Sequence, residues 1–277
     1  MILYKAIKNA GHTFPRSFLW QIKGNSGRTA FFVVYFFLVW YHIFMKIFAI
    51  SDLHISTNSD KPMEIFGGNW VGYLDKIFAD WKEKVSDEDV VLLGGDLSWA
   101  MTLDKAMEDI ELLSSLKGTK ILIKGNHDYW WQAIGRVRDS LPPNFYALQN
   151  DALRLDCGVV VCGSRCWSVP GAPDFDERDT KIYLRETERL KLSVKAAKEL
   201  MQEGDKLIAL IHYPPFNVKR EDTFFTEIFE ANGVDSVIYG HLHGKKVKAD
   251  RLVVKNGVKY YLTSCDQTEN KLTEIIL

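Results

Sequence analysis

Apolar and polar positions follow two periods along this chain, and the switches between them mark its elements. Short apolar runs read as buried strands: Met45–Ser51, Asp89–Gly95, Ile121–Lys124, Lys206–Ile211 and Asp235–Gly240. Phe145–Leu155 and Gly158–Gly163 read the same way, the second through its run of β-branched residues. Helical spacing appears in Val71–Val85, with Val71, Leu74, Ile77, Phe78 and Trp81 on one stripe. It returns in Leu103–Leu116 through Ala106, Met107, Ile110, Leu112 and Leu113, and a third helix is expected over Tyr129–Leu141, closed by Pro142-Pro143. Thr180–Glu203 reads as a long amphipathic helix whose Lys and Glu form a solvated face. Thr223–Ala231 reads as a short one with Phe224, Phe225, Ile228 and Phe229 inward. The last segments, Lys246–Val254, Val258–Thr263 and Leu272–Ile276, are expected to be antiparallel strands, with Asn256-Gly257 as a hairpin turn. Strands alternating with helices, then terminal hairpins, predict an α/β domain over residues 45–277.

Residues 1–44 do not fit that scheme. They hold Lys5, Lys8, Arg16, Lys23 and Arg28 and no acid, and they lead into the uncharged run Ala30–Met45. One reading is a membrane anchor with its basic flank in the cytoplasm. Against it, a spanning helix wants roughly 20 apolar residues, which this run would have to borrow from the adjoining strand. The preferred reading is that the domain begins at Met45 and that the segment is translated upstream sequence. The chain is accordingly expected in the cytoplasm, with a membrane-anchored form facing the cytoplasm as the alternative.

The chemistry gathers where strands end. Met45–Ser51 runs into Asp52-Leu53-His54, Asp89–Gly95 into Asp96, and Ile121–Lys124 into Gly125-Asn126-His127-Asp128. Lys206–Ile211 runs into His212, and Asp235–Gly240 into His241-Leu242-His243. Open α/β sheets place their ligand sites at that edge. On extended chain, residues two apart point the same way, so Asp52 with His54, and His241 with His243, are expected to aim paired ligands at one point. The glycines before Asp96, Asn126 and His241 suit close backbone approach. A lone histidine on a strand is usually structural. Here five of the seven histidines fall in these stretches, and only His12 and His42 lie outside them.

Asp52, His54, Asp96, Asn126, His212, His241 and His243 together make an oxygen and nitrogen donor set without thiolate. Such a set suits Mn, Fe or Zn rather than Ca. Seven donors are too many for one tetrahedral zinc but suffice for two metals sharing a carboxylate.

Charge and cysteine content narrow the partners. The net charge of −1 is uneven: after residue 44 there remain 30 basic and 36 acidic residues. An acidic domain is a poor general binder of nucleic acid, which argues against a nuclease. Cys157, Cys162, Cys166 and Cys265 form no CxxC pair and read as free thiols in a reducing compartment.

The five stretches, in this order, resemble the calcineurin-like metallophosphoesterase superfamily, over roughly Met45 to the C-terminus. The resemblance implies a four-layer αββα sandwich. It implies two divalent metal ions, Mn favoured: Asp52, His54 and His243 holding one, Asn126, His212 and His241 the other, and Asp96 bridging. His127 and Asp128 are then the catalytic candidates, His127 as the acid that protonates the leaving oxygen and Asp128 positioning its loop. The implied reaction is hydrolysis of a small-molecule phosphomonoester or phosphodiester by a metal-bridged hydroxide. The alternatives are a nuclease using the same centre and an inactive binding scaffold. Phosphoprotein phosphatases of this superfamily follow the second motif with further acidic and arginine residues. Here Leu97-Ser98-Trp99-Ala100 stands instead, which weakens that reading. The long loop Ser56–Trp70 is expected to wall the site. Trp99, Tyr129, Trp130 and Trp131 are read first as core and second as a platform for a substrate ring. The loop Ser168–Asp179 is read first as solvated and second as a gate, with Arg165 or Arg178 meeting phosphate oxygens.

Overall fold

A computed structural model describes residues 45–57, 63–244, 247 and 249–277. The expectations for residues 1–44 fall outside the described residues. Among those described, no helix is long and apolar enough to cross a membrane.

Two sheets form the centre. The first takes β1 (Ile47–Ile50), β2 (Val90–Leu93), β3 (Thr119–Ile123) and β4 (Phe145–Leu148) in parallel order, with β11 (Thr273–Glu274) antiparallel beside β1. The second has β6 (Val159–Ser164), β7 (Lys206–Ile211), β8 (Ser236–Tyr239) and β10 (Val258–Leu262) parallel. Its antiparallel edges are β5 (Asp151–Leu155) and β9 (Leu252–Lys255).

The two-residue period of the strands sorts their side chains into layers. Ile47, Ala49, Val90, Leu92, Ile121 and Ile123 of the first sheet meet Val159, Val161, Ile208, Leu210 and Ile238 of the second in one buried cluster between the sheets. Their alternates face outward. Phe48, Ile50, Val91, Leu93 and Leu122 pack under α1 (Tyr73–Lys84), α2 (Leu103–Ser114) and α3 (Ile134–Ser140). Val160, Cys162, Leu207, Ala209, Val237 and Tyr239 pack under α4 (Asp179–Leu200) and α5 (Phe224–Ala231). Helices, sheet, sheet, helices is the four-layer αββα order that the resemblance implied. Each fully buried aliphatic side chain contributes roughly 1.5–3 kcal/mol to holding it.

The strand expected over Lys246–Val254 is β9, Leu252–Lys255, and four further local expectations change. Phe145–Leu155 is two strands in different sheets, because Asn150 takes φ +63° and turns the chain from β4 to β5. The helix expected from Tyr129 begins only at Ile134, because Tyr129 N donates to His127 O and Trp131 N to Asp128 O in tight turns. Phe224 is 46% exposed rather than inward, stacked on Tyr183. β10 is antiparallel to β9, as the Asn256-Gly257 turn requires, but returns parallel to β8. Both turn residues have positive φ, +50° and +84°, as in a type I′ hairpin.

Lys120 shares the outward face of β3 with Leu122 and is fully buried. Its ammonium lies near the rings of Trp81 and Phe145 and donates to Leu116 O. Burial pushes its pKa down to about 8. Between about 8 and the ordinary 10.5 the unfolded chain binds more protons than the folded one, so this group's contribution to stability rises with pH across that window. Lys120→Met should abolish that rise and leave the protein at least as stable at neutral pH. Denaturant midpoints of both proteins at neutral pH and at pH 10 check this.

Candidate metal centre

All five strands that precede the candidate ligands are parallel members of their sheets, so their C-terminal ends share an edge in each. The two edges are joined directly. Ser51 N donates to Thr263 O at 2.9 Å, Cys265 N donates to Ser51 O at 3.0 Å, and the Ser51 and Thr263 hydroxyls meet at 2.7 Å. Ligands from both sheets are thereby brought to one place.

The side chains converge by a route other than strand alternation. The strands stop at Ile50, Leu93 and Tyr239, and Asp52, His54, Asp96 and His241 follow in left-handed conformations, with φ of +59°, +45°, +52° and +69°. Each non-glycine residue held there costs on the order of 1–3 kcal/mol, a strain concentrated at functional sites. Two glycines allow the turns to close up. A Cβ on Gly125 would stand 2.1 Å from Asp96 Oδ1, and one on Gly240 would stand 2.5 Å from Asp52 Oδ2.

Asp52, His54, Asp96 and His212 are fully buried, and Asn126, His241 and His243 are half-buried. Ligand atoms of Asp52, His54 and His243 lie within 4.8 Å of one another, as do those of Asp52, Asp96 and His212. Asp96 Oδ2 stands 3.7 Å from His54 Nε2 and 3.6 Å from His212 Nε2. Asn126 Oδ1 is 2.7 Å from His212 Nε2 and 2.9 Å from His241 Nδ1. All seven expected ligands therefore meet.

Several of these atoms lack a partner that a protein supplies. Asp96 Oδ2 and both ring nitrogens of His54 are buried without a hydrogen bond. His212 Nδ1 lies 2.9 Å from Gly94 O and must carry the proton there, since a carbonyl only accepts. Burial pulls the His212 pKa down to about 3, so at neutral pH its Nε2 is a bare lone pair. That lone pair faces Asn126 Oδ1, a second acceptor, at 2.7 Å. Two acceptors at that distance repel unless a cation lies against both. Burial also lowers His54 and His243, and takes His241 to about 3, which keeps every imidazole a neutral donor of electrons. Burial raises Asp96 to about 6 and Asp52 well above its ordinary value. A buried, unpaired pair of carboxylates among neutral imidazoles fits divalent cations and little else.

The surroundings fix this set. Asp128 is fully buried and accepts from the backbone of Asp96, Leu97, Ser98 and Gly125 and from Trp130 Nε1, at 2.7 to 3.3 Å. It ties the second ligand turn to the third. His127 anchors its N–H on Asp96 Oδ1 at 2.7 Å, and its Nδ1 lies 3.3 Å from the Tyr129 hydroxyl. Trp99 stacks on His54 at 4.6 Å, and Trp70 packs against His54 and His243. The described end of the long loop thus walls the centre, while residues 58–62 lie outside the described residues. Trp130 and Trp131 are buried, whereas Tyr129 is 52% exposed.

Two residues of the site escaped the sequence reading. Ser264 Oγ donates to Asp52 Oδ2 at 2.8 Å, and the buried Asp266 accepts from Gly244 N at 2.7 Å, its charge offsetting part of the burial that lowers His243. The signal was present, since they end Val258–Leu262 as Asp52 and Asp96 end their strands. Arg165 reaches the site, taking His212 N and Tyr213 N on its carbonyl. Arg178 instead pairs with Asp176 in solvent. The Ser168–Asp179 loop lines, through Val169 and Asp174, a cavity of about 450 Å³ that opens on His241 and His243.

The family model of calcineurin-like phosphoesterases matches residues 45–245. An uncharacterized protein of Methanocaldococcus jannaschii is 34% identical over 84 residues, 30% of this chain and 47% of that protein. The match thus spans about half the length of that curated relative. Among solved structures, TT1561 of Thermus thermophilus is similar with a TM-score of 0.50 at 12% identity, over 83% of this chain and 98% of that one. A protein of unknown function from Aquifex aeolicus, AQ665, gives 0.46 at 14%, over 83% and 95%.

Removing a desolvated charge should stabilise the metal-free chain. Asp96→Asn also gives an N–H to the lone pairs of His54 and His212, so with EDTA its melting temperature should exceed that of the wild type. With Mn the order should reverse. Gly125→Ala, which drives a methyl into Asp96, should lose most of the Mn-induced rise in melting temperature. Thermal melts with and without metal check all three.

Proposed function

The chain belongs to the calcineurin-like phosphoesterase family, and from that membership we propose that it hydrolyses phosphoesters of small molecules with two divalent metal ions, Mn foremost. The observation that carries this reading is the unpartnered Asp96 Oδ2, set between a histidine of each expected group, His54 and His212. Asp52, His54 and His243 would hold one ion and Asn126, His212 and His241 the other, with Asp96 common to both. Ions there would lower the pKa of water and offset charge developing on phosphoryl oxygens.

The protein's own residues do the rest. The backbone N–H of His127 on Asp96 fixes where its ring stands, and Tyr129 holds one ring nitrogen. The other nitrogen is left to give a proton to the leaving oxygen. Asp128 has both oxygens engaged and acts by holding the turns. Trp99 and Trp70 cover the buried ligands and keep bulk water from them. The four free cysteines suit a reducing compartment, in keeping with a cytoplasmic hydrolase.

Metal-stripped chain should gain turnover of p-nitrophenyl phosphate or bis(p-nitrophenyl) phosphate on adding Mn. His127→Ala should lower kcat by about 10²–10⁴-fold with metal content unchanged. Asp96→Asn should lose bound metal and activity together. Steady-state kinetics with elemental analysis of each variant checks this, and a wild type that binds no metal would refute the reading.

A further inference from the structure

The ligand edge carries a second cavity, of about 240 Å³, whose lining has a consistent chemistry. Lys124, the residue before Gly125, comes to it from the first sheet. Arg165, the residue after β6, comes from the second, and its main-chain carbonyl accepts from His212 N. Arg189 of α4 completes three cations. The carboxylate among them is Glu186, which is 1% exposed and shared by three guanidiniums: Arg189 at 2.7 Å, Arg185 at 3.2 Å and Arg165 at 3.6 Å. Its one charge leaves a surplus of positive charge, and Lys124 pairs with no carboxylate among the described residues. Arg165 is further held by stacking over Trp167 at 4.7 Å.

The neutral groups point to the same ligand. Gln149 Oε1 accepts from Trp131 Nε1 at 2.7 Å, and Asn150 Oδ1 accepts from Ser164 Oγ at 3.1 Å. Both amides line the cavity with their acceptor ends already engaged, so their N–H₂ groups remain for a ligand. The lining thus offers cations and N–H donors, with its one carboxylate taken up by arginines. The larger cavity beside His241 and His243 differs: its Arg220 is paired with Asp250.

We infer that the Lys124–Arg165–Arg189 cavity binds a second anionic group, phosphate or carboxylate, on the same small molecule whose phosphoester is cleaved at the neighbouring metal centre. This rests on the phosphohydrolase reading for the cleavage, but anion binding in the cavity does not need the metals. Phosphate bound by the metal-free chain is assigned to the cavity by its loss in variants of Arg165 and Lys124, which line it.

The test has two arms, both on the full chain. In the first, metal-stripped protein is titrated with inorganic phosphate and followed by ³¹P NMR. The wild type should show one saturable site, weakened about tenfold or more by Arg165→Gln and by Lys124→Gln, as for loss of a charged hydrogen bond. Lys124→Arg should retain it, and Lys191→Gln, on the solvated face of α4, should leave it unchanged. In the second, Mn-loaded protein is given propyl phosphate, propane-1,3-diyl bisphosphate and 3-(phosphonooxy)propanoate. The wild type should prefer one of the two bearing a second anion in kcat/KM, the better of them identifying phosphate or carboxylate. That preference should fall about tenfold in both glutamine variants. Lys124 makes no ion pair among the described residues, so its variant keeps the test decisive if Arg165→Gln misfolds. Failure of wild-type protein to bind phosphate, or binding and preference that neither variant moves, would overturn the inference. Phosphate binding through Arg165 and Lys124 without Mn-dependent turnover of any ester would overturn the phosphohydrolase reading instead and leave the cavity standing.

Discussion

Two carboxylates and four imidazoles lie close together where the chain excludes most water, and the rest of the structure is arranged around that gathering. Asp52 and Asp96 are fully buried with no cationic side chain paired to them among the described residues. Desolvating unpaired charge is among the most unfavourable things a fold can do. It persists here because the surrounding packing leaves the side chains no alternative position. The three apolar layers set the strands, the strands set their ends, and the ends carry the ligands. A centre assembled this way is unstable by itself and becomes favourable once positive charge lies between its acceptors.

The support around it is polar and directional rather than apolar. Asp128 gathers five donors from two different turns, so the Asp96 turn and the Asn126 turn cannot move independently. Gly94 O fixes the tautomer of His212, and Ser264 and the His241 N–H hold Asp52. Second partners of this kind decide which lone pair a ligand presents. The left-handed φ values at four ligand positions belong to the same arrangement: local strain is sustained because the sheets on either side over-determine the backbone.

Much of this was legible in the sequence. The apolar runs located the strands, and a ligand immediately after each run located the shared edge, because a parallel strand order puts those ends together whatever the loops do. The mechanism of convergence was not legible. Alternation along extended chain would pair Asp52 with His54, but both lie beyond the strand in left-handed turns, which no period reveals. Phe145–Leu155 read as one strand because apolar residues stand on both sides of Gln149-Asn150-Asp151, although those three polar residues carry a turn signal. Tyr129–Ala133 has helical spacing, yet Asp128 captures the Trp130 indole and commits those residues to turns. In both cases a tertiary hydrogen bond or a single positive φ overrode a local pattern.

The same contrast separates reaction from specificity. Every residue that would hold a metal sits within a few positions of a strand end, so its place follows from the sheet and can be read from a short stretch. The basic cavity is built differently. Lys124 and Arg165 come from opposite sheets, Gln149 and Asn150 from the turn that passes between them, and Glu186 and Arg189 from a helix on the far face. What makes it a site is that Trp131 and Ser164 occupy the acceptor ends of two amides and that three arginines exhaust one buried carboxylate. None of these relations has a sequence spacing. A chain can therefore display its chemistry in five short stretches while its choice of substrate depends on side chains that meet only when all four layers have assembled.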